Sequence, residues 1–214
     1  IVTNPNCSTI GIAMALKPLQ DAIGIESVDA TTLQAASGAG HPGVPSMNLI
    51  DNTIPNIPGE AAKIETETLR ILGMLNENAV ESAPFAMSAQ VNRVPVRDGH
   101  SACMKVSLGQ RVTVDEVRRV LAEFQSPIAD LDLPTAPQNP IVVLDGQFDP
   151  QPVLHRDLGN GLTVSIGQLQ ECNTHDVKFV SLSHNTIRGA AGAAVLNAEL
   201  LVRQKLLRCI SYYM

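Results

Sequence analysis

Apolar positions fall into runs whose period changes along the chain. Ile10-Gly11-Ile12-Ala13-Met14-Ala15-Leu16-Lys17-Pro18-Leu19 is apolar almost throughout, which predicts a buried helix over about 8–22. Ile1–Pro5 reads as the end of a buried strand feeding it. Glu26-Ser27-Val28-Asp29-Ala30-Thr31-Thr32-Leu33 predicts a strand, and the Pro-rich stretch 41–58 predicts a loop. Ile64, Leu69, Ile71, Leu72 and Leu75 are spaced for a helix over 60–76, with Gly59 as its cap. Residues 86–96 read as a strand. Residues 101–108 alternate, with Ala102, Met104, Val106 and Leu108 on one face. Asp98-Gly99 between them is a turn signal, so the two strands are expected as a hairpin. Thr113, with Glu116 three residues on, opens a helix over 113–125. Residues 126–161 carry six prolines and predict an irregular excursion. Strands are expected near 162–167 and 176–183, then a last helix over about 187–207. That helix opens on Gly189-Ala190-Ala191-Gly192-Ala193-Ala194, small residues that permit close packing. No internal repeat is visible. Strands clustered with fewer helices predict an α+β domain on a mixed, mostly antiparallel sheet.

Composition narrows the classes. The 214 residues suffice for one large domain or two small ones. A net charge of −6, 3% aromatics and no Trp argue against a nucleic-acid partner. No apolar run is long enough to span a bilayer, and no signal peptide opens the chain. Four cysteines, at 7, 103, 172 and 209, show no CxxC spacing. The expectation is no disulfide scaffold, no zinc site and a reducing, cytoplasmic compartment. The histidines show no metal-ligand spacing, and no metal is assigned.

Cys7 carries the candidate chemistry. It lies in Asn4-Pro5-Asn6-Cys7-Ser8-Thr9 at a strand-to-helix junction. Free backbone N–H groups at a helix start favour a thiolate, and a thiolate is a nucleophile. Cys103, Cys172 and Cys209 lack that setting and read as structural. Gly38-Ala39-Gly40-His41-Pro42-Gly43 matches G-x-G-x-x-G, but prolines follow where a dinucleotide fingerprint needs a helix. It reads either as a plain glycine-rich turn at a strand end or as a turn whose glycines let a ligand approach the backbone closely. Glu60 and Lys63 share one face of a first helical turn, where an anion beside Lys63 is favoured. Arg93 and His100 are seven apart, so one unbroken strand would point them to opposite faces. The Asp98-Gly99 turn resets that parity. Arginine suits bidentate capture of a carboxylate, and a histidine beside a thiol can take and return its proton.

Taken together, these residues resemble aspartate-semialdehyde dehydrogenase, over nearly the whole chain from Asn4 to about Leu201. Asn4–Thr9 looks like the family's nucleophile motif, which implies that Cys7 is the acyl-accepting thiol, with Asn6 beside it at the substrate. Gln34 is similar to the glutamine that orients the substrate. Ser37-Gly38-Ala39-Gly40 is similar to the loop lining the nicotinamide side of the cofactor. Glu60 and Lys63 match a glutamate that holds the substrate's amino group and a lysine that binds phosphate. Arg93, in Val91-Asn92-Arg93-Val94-Pro95-Val96, matches the arginine that clamps the substrate carboxylate, and His100 the general acid/base. Ser183-His184-Asn185-Thr186-Ile187-Arg188-Gly189-Ala190-Ala191 matches the motif that returns to the cofactor, with Asn185 near the nicotinamide. The wording is closer to the fungal and archaeal branch than to the typical bacterial one.

Several expectations follow from the resemblance. Residues 1–185 form a catalytic and dimerisation domain, and 186–214 a helix and tail that pack on an NADP-binding domain this chain does not contain. The reaction is NADPH-dependent conversion of L-4-aspartyl phosphate to L-aspartate 4-semialdehyde through a Cys7 thioester. It serves lysine, threonine, methionine and isoleucine biosynthesis. The chain by itself is expected to be an inactive fragment that binds no NADP tightly and assembles as a homodimer or homotetramer. Its other partners are a small substrate and phosphate. The alternatives are a related acyl reductase, acting on N-acetyl-glutamyl phosphate or malonyl-CoA, and a purely structural assembly module.

Overall fold

A computed structural model describes residues 1–77 and 79–207. Residues 208–214, and Cys209 with them, lie outside the described residues. Helix α1 (Cys7–Ala22) starts where Asn6 accepts hydrogen bonds at Oδ1 from the backbone N–H groups of Ser8 (2.9 Å) and Thr9 (3.2 Å). Such an N-cap satisfies donors that a helix start leaves free. Ile12, Ala15, Leu16 and Leu19 are buried, and the helix runs through Pro18 to its end. The strand expected over Ile1–Pro5 does not form. Ile1 and Val2 are exposed, and no described strand pairs with them.

Strand β1 (Ile25–Gln34) follows, with Val28, Ala30, Thr32 and Gln34 inward and Asp29 and Leu33 outward. The loop at 41–58 contains one short helix, α2 (Ser46–Leu49). Helix α3 (Glu60–Ile71) begins at Gly59, whose φ of 75° is left-handed backbone that glycine adopts without strain. It ends five residues sooner than its apolar spacing predicts. The chain turns through Gly73 into a small hairpin, β2 (Met74–Leu75) and β3 (Val80–Glu81), which leaves Ile71 and Leu75 exposed. Strands β4 (Ala86–Arg93) and β5 (His100–Leu108) come next. Helix α4 (Val114–Ala122) is capped by Thr113, whose Oγ1 accepts the Glu116 N–H at 3.2 Å. The proline-rich excursion contributes an edge strand, β6 (Ile141–Val143), and a short helix, α5 (Pro152–His155). Strands β7 (Val164–Glu171) and β8 (Val177–Ser183) complete the sheet. A π-type turn over Ile187–Ala191 then leads into α6 (Gly192–Arg203), four residues short of the expected end.

The six-stranded sheet has the order β4-β1-β5-β8-β7-β6. Its three inner pairings are antiparallel, whereas β1/β4 and β6/β7 at the edges are parallel. The mixed, mostly antiparallel α+β reading therefore holds. The hairpin reading does not, because β1 inserts between β4 and β5. Helices α1, α3 and α4 cover one face, where Val28, Met104, Val106, Phe179 and Ile166 form the core with Leu16 and Leu19. The other face is open and polar. Asp29, Thr31, Gln90, Cys103, Lys105 and Lys178 line a broad hollow of about 530 Å³ there. Cys103 thus stands exposed on the open face, outside the core.

Candidate active site

One end of the sheet gathers most of the chemistry-bearing residues. Gln34 ends β1, Arg93 ends β4 beside it, His100 begins β5, and Asn185 follows β8. Cys7 opens α1 and Glu60 opens α3, so two helix starts face that sheet end. Gln34, Arg93 and His100 are 1%, 5% and 3% exposed. Arg93 and His100 share the covered side, reached from different strands.

Cys7 Sγ lies 3.4 Å from His100 Nε2. The backbone N–H of Ala35 donates to His100 Nδ1 at 3.0 Å. A backbone amide is always the donor, so the neutral ring carries its proton on Nε2, facing the sulfur. Burial, with the nearby Arg93 charge, lowers the His100 pKa to about 3. The ring therefore reaches Cys7 as a neutral hydrogen-bond donor. The thiol itself is shifted upward. Burial raises its pKa first and the Glu60 carboxylate next, outweighing the backbone N–H groups of Cys7 and Ser8 and the Arg93 charge. The helix start does favour a thiolate, as the sequence implies, but the surroundings reverse the net direction.

Glu60 is held by Asn6, whose Nδ2 donates to its two oxygens at 2.9 and 2.8 Å. The Asn6 backbone N–H donates to Glu67 at 2.7 Å. Gln34 Nε2 donates to Thr32 Oγ1 at 3.3 Å and to Glu60 at 3.4 Å. Lys63 stands at the exposed rim, 3.9 Å from Glu60. Arg93 Nη1 donates to the Ala35 carbonyl at 2.8 Å.

Ser37 and Gly38 lie in a 3-10 turn over Ala36–Ala39, strapped to residues 96 and 97 by backbone bonds of 2.7 and 3.1 Å. A Cβ on Gly38 would fall 2.7 Å from Arg93 Nη1 and 2.9 Å from the His100 ring. Close approach explains that glycine: it makes room for the site's own side chains. Asn185 is buried and fully engaged. Its Oδ1 accepts the Gly99 N–H at 2.8 Å and its Nδ2 donates to Ser37 Oγ at 2.8 Å. The residue thereby ties the segment entering His100 to the Ser37 turn. Gly189 packs against Cys7: an added Cβ would sit 2.8 Å from Cys7 Cβ.

Sequence reasoning missed two neighbours. Asp98, read only as a turn residue, is raised by burial but pulled lower overall by bonds from Ser37 and Arg97. Buried His184 lies 3.6 Å from Asp157, and burial lowers its pKa. Asp98 pairs with adjacent Arg97 as well as with Ser37, which only the fold brings near, and the Asp157 partner of His184 is likewise distant in sequence. Among the described residues, no group of three His, Cys, Asp or Glu could hold a metal ion. No described helix is long and apolar enough to cross a membrane.

Residues 16–188 match the family model "Semialdehyde dehydrogenase, dimerisation domain". The chain belongs to this family. It is 47% identical over 203 residues to aspartate-semialdehyde dehydrogenase of Methanothermobacter thermautotrophicus, covering 94% of this chain and 58% of that protein. The Schizosaccharomyces pombe enzyme of that name is 46% identical over 213 residues, covering 97% and 60%. The crystal structure of the Candida albicans enzyme with NADP superimposes with a TM-score of 0.86 at 42% identity, covering 94% of this chain and 57% of that one. Aspartate semialdehyde dehydrogenase II of Vibrio cholerae gives a TM-score of 0.76 at 28% identity, covering 95% and 62%. The chain thus spans about three fifths of the length of these relatives.

Proposed function

We infer that this chain carries the acyl-transfer half of an NADP-dependent aspartate-semialdehyde dehydrogenase. Its reaction converts L-4-aspartyl phosphate to L-aspartate 4-semialdehyde, a step in lysine, threonine, methionine and isoleucine biosynthesis. The observation that carries this reading is the 3.4 Å approach of Cys7 to His100 between a buried guanidinium, Arg93, and a braced carboxylate, Glu60. An amino acid's carboxylate suits Arg93 and its ammonium suits Glu60. Those two contacts favour an amino-acid acyl phosphate with a free amine over an N-acetylated substrate or an acyl-CoA.

Cys7 Sγ attacks the acyl carbon as its thiolate, the carbon–oxygen bond to phosphate breaks, and the departing phosphate takes the thiol's proton and leaves beside Lys63, because His100 already carries its proton on Nε2 and cannot act as the base expected from sequence. The products are a Cys7 thioester and inorganic phosphate. NADPH, when bound, supplies the hydride that reduces the thioester carbon. Ser37 and Gly38, in the turn that Asn185 braces, would line the nicotinamide end of the cofactor, and exposed Gly40 leaves the outer side of that turn open. The His100 Nε2–H donates to the sulfur and then to the developing oxyanion, together with backbone N–H groups at the α1 start. Collapse of the hemithioacetal expels the thiolate and releases the aldehyde.

Glycine-rich residues 38–43 open no helix that could cradle a pyrophosphate. The rest of the cofactor is assigned to a domain outside this chain, on which residues 186–207 pack, and the isolated chain is inactive in turnover. Its open sheet face serves homodimer formation, consistent with the family's description. Mixing the chain with L-4-aspartyl phosphate should release a burst of up to one phosphate per chain without NADPH. Cys7→Ala should abolish the burst. An undiminished burst in that variant would sink the mechanism.

A further inference from the structure

Arg188 is a buried cation without an acid. It is 7% exposed, and its Nε has no hydrogen-bond partner among the described residues. Its Nη2 reaches only the Met14 thioether sulfur, at 3.1 Å, and a thioether is a weak acceptor. No carboxylate forms an ion pair with it among the described residues, and burial alone lowers its pKa to about 10. An unsatisfied buried charge is destabilising, so its retention calls for a partner.

The side chain lines a cavity of about 330 Å³ between the start of α6 and the 125–140 segment. That volume is at the small end of ligand pockets. Ile128, Leu133, Ala136, Pro140 and Leu196 supply apolar walls, and Gln125 stands among them. Arg188 is the only cation lining it, and acidic Asp132 lies on the same lining. A dianion such as phosphate asks for more positive charge than this. A planar carboxylate matches one guanidinium fork, and the apolar walls match a short hydrocarbon stem.

We propose that this cavity is a carboxylate-binding site in which Arg188 pairs with a monocarboxylate bearing a small apolar body. Nothing in the acyl-transfer chemistry uses it. The carboxylate comes either from a free acid or from an acidic side chain in the part of the protein outside this chain.

The probe is butyrate, read by the side-chain Nε–H resonance of Arg188 in ¹⁵N-labelled chain. Butyrate should shift that resonance saturably, with half-saturation below roughly 10 mM, a contact of only a few kcal/mol. Uncharged butyramide should leave it unmoved, and inorganic phosphate should bind at least tenfold more weakly. Ala136→Phe, which adds a bulky side chain to the cavity lining while keeping Arg188, should weaken butyrate at least tenfold while the Arg188 signal persists. This variant keeps the test decisive if Arg188→Met fails to fold. The absence of a saturable shift, an equal response to butyramide, or tighter binding of phosphate would overturn the proposal. Repeating the titration on the longer protein separates the sources. A response there marks a free acid as the ligand, whereas silence there beside a response here marks an internal carboxylate, and both outcomes support the site.

Discussion

Cys7 and His100 face each other with neither in its charged form at neutral pH. The thiol is raised by burial and by Glu60, and the imidazole is lowered by burial and by Arg93. The alkylation rate of Cys7 should therefore rise with pH, with a midpoint above that of an ordinary cysteine. Glu60→Gln removes one of the two causes and should lower that midpoint, measured with iodoacetamide against pH. An unchanged profile would mean that the carboxylate does not act on the sulfur. His100 supplies a second pH signature. Its folded pKa of about 3 is below the ordinary 6.5, so between those values the unfolded chain binds the extra proton. Stability from this group is complete above pH 6.5 and is lost as pH falls toward 3, at up to about 1.4 kcal/mol per pH unit. Urea unfolding of His100→Gln should show a shallower fall across that window. At this scale the residues that sequence singled out, Cys7, Asn6, Gln34, Glu60, Arg93 and His100, lie together at one end of the sheet. In the sequence Asp98 read only as a turn residue and His184 only as part of the C-terminal motif, because their partners Ser37 and Asp157 are brought to them by the fold.

Among the elements, the close packing of the π-type turn on the start of α1 is the most demanding contact. Gly189 has no room for a side chain, with Cys7 Cβ and Cα at 2.8 and 3.0 Å from a built Cβ. Gly189→Ala should push Cys7 away from His100, destabilise the chain by about 1–3 kcal/mol, and slow acyl transfer at least tenfold. Phosphate-burst kinetics beside thermal melting would read both effects, and a normal burst would show that the contact is slack. The small-residue run at 189–194 signalled such packing, although sequence could not name Cys7 as the neighbour. Alternation placed Ala102, Met104, Val106 and Leu108 on the buried face correctly, because period two reports the face. It does not report the neighbour, so β4 and β5 read as a hairpin although β1 lies between them. Helix α3 was overextended for a similar reason. Leu72 and Leu75 fit a helical period, but Gly73 turns the chain into a hairpin whose built Cβ would meet the Glu81 carbonyl at 2.0 Å.

For the molecule as a whole, helices cover one sheet face and leave the other bare. Asp29, Lys105 and Lys178 on that bare face carry both signs of charge, so they can pair across the interface between copies proposed there. Cys103 stands among them. Cys103→Arg should disrupt the proposed homodimer or homotetramer, lowering the mass read by light scattering while leaving the chain folded. An unchanged mass would place the interface elsewhere. The outward side of α6 exposes Val195 and Val202, and Leu206 and Leu207 are exposed beyond its end. This apolar surface suits the packing proposed for residues 186–207. The architecture was legible because strand and helix periods are local. Sheet order and the open face were not, since both depend on which distant segments meet.

The most direct test of the central claim is peptide mapping by mass spectrometry after the chain is mixed with L-4-aspartyl phosphate and quenched in acid. The account predicts one aspartyl group per chain, carried as a thioester on the peptide containing Cys7. It should be absent in Cys7→Ala and strongly reduced in Arg93→Leu. An adduct on exposed Cys103 instead, or no adduct while phosphate is still released, would contradict it.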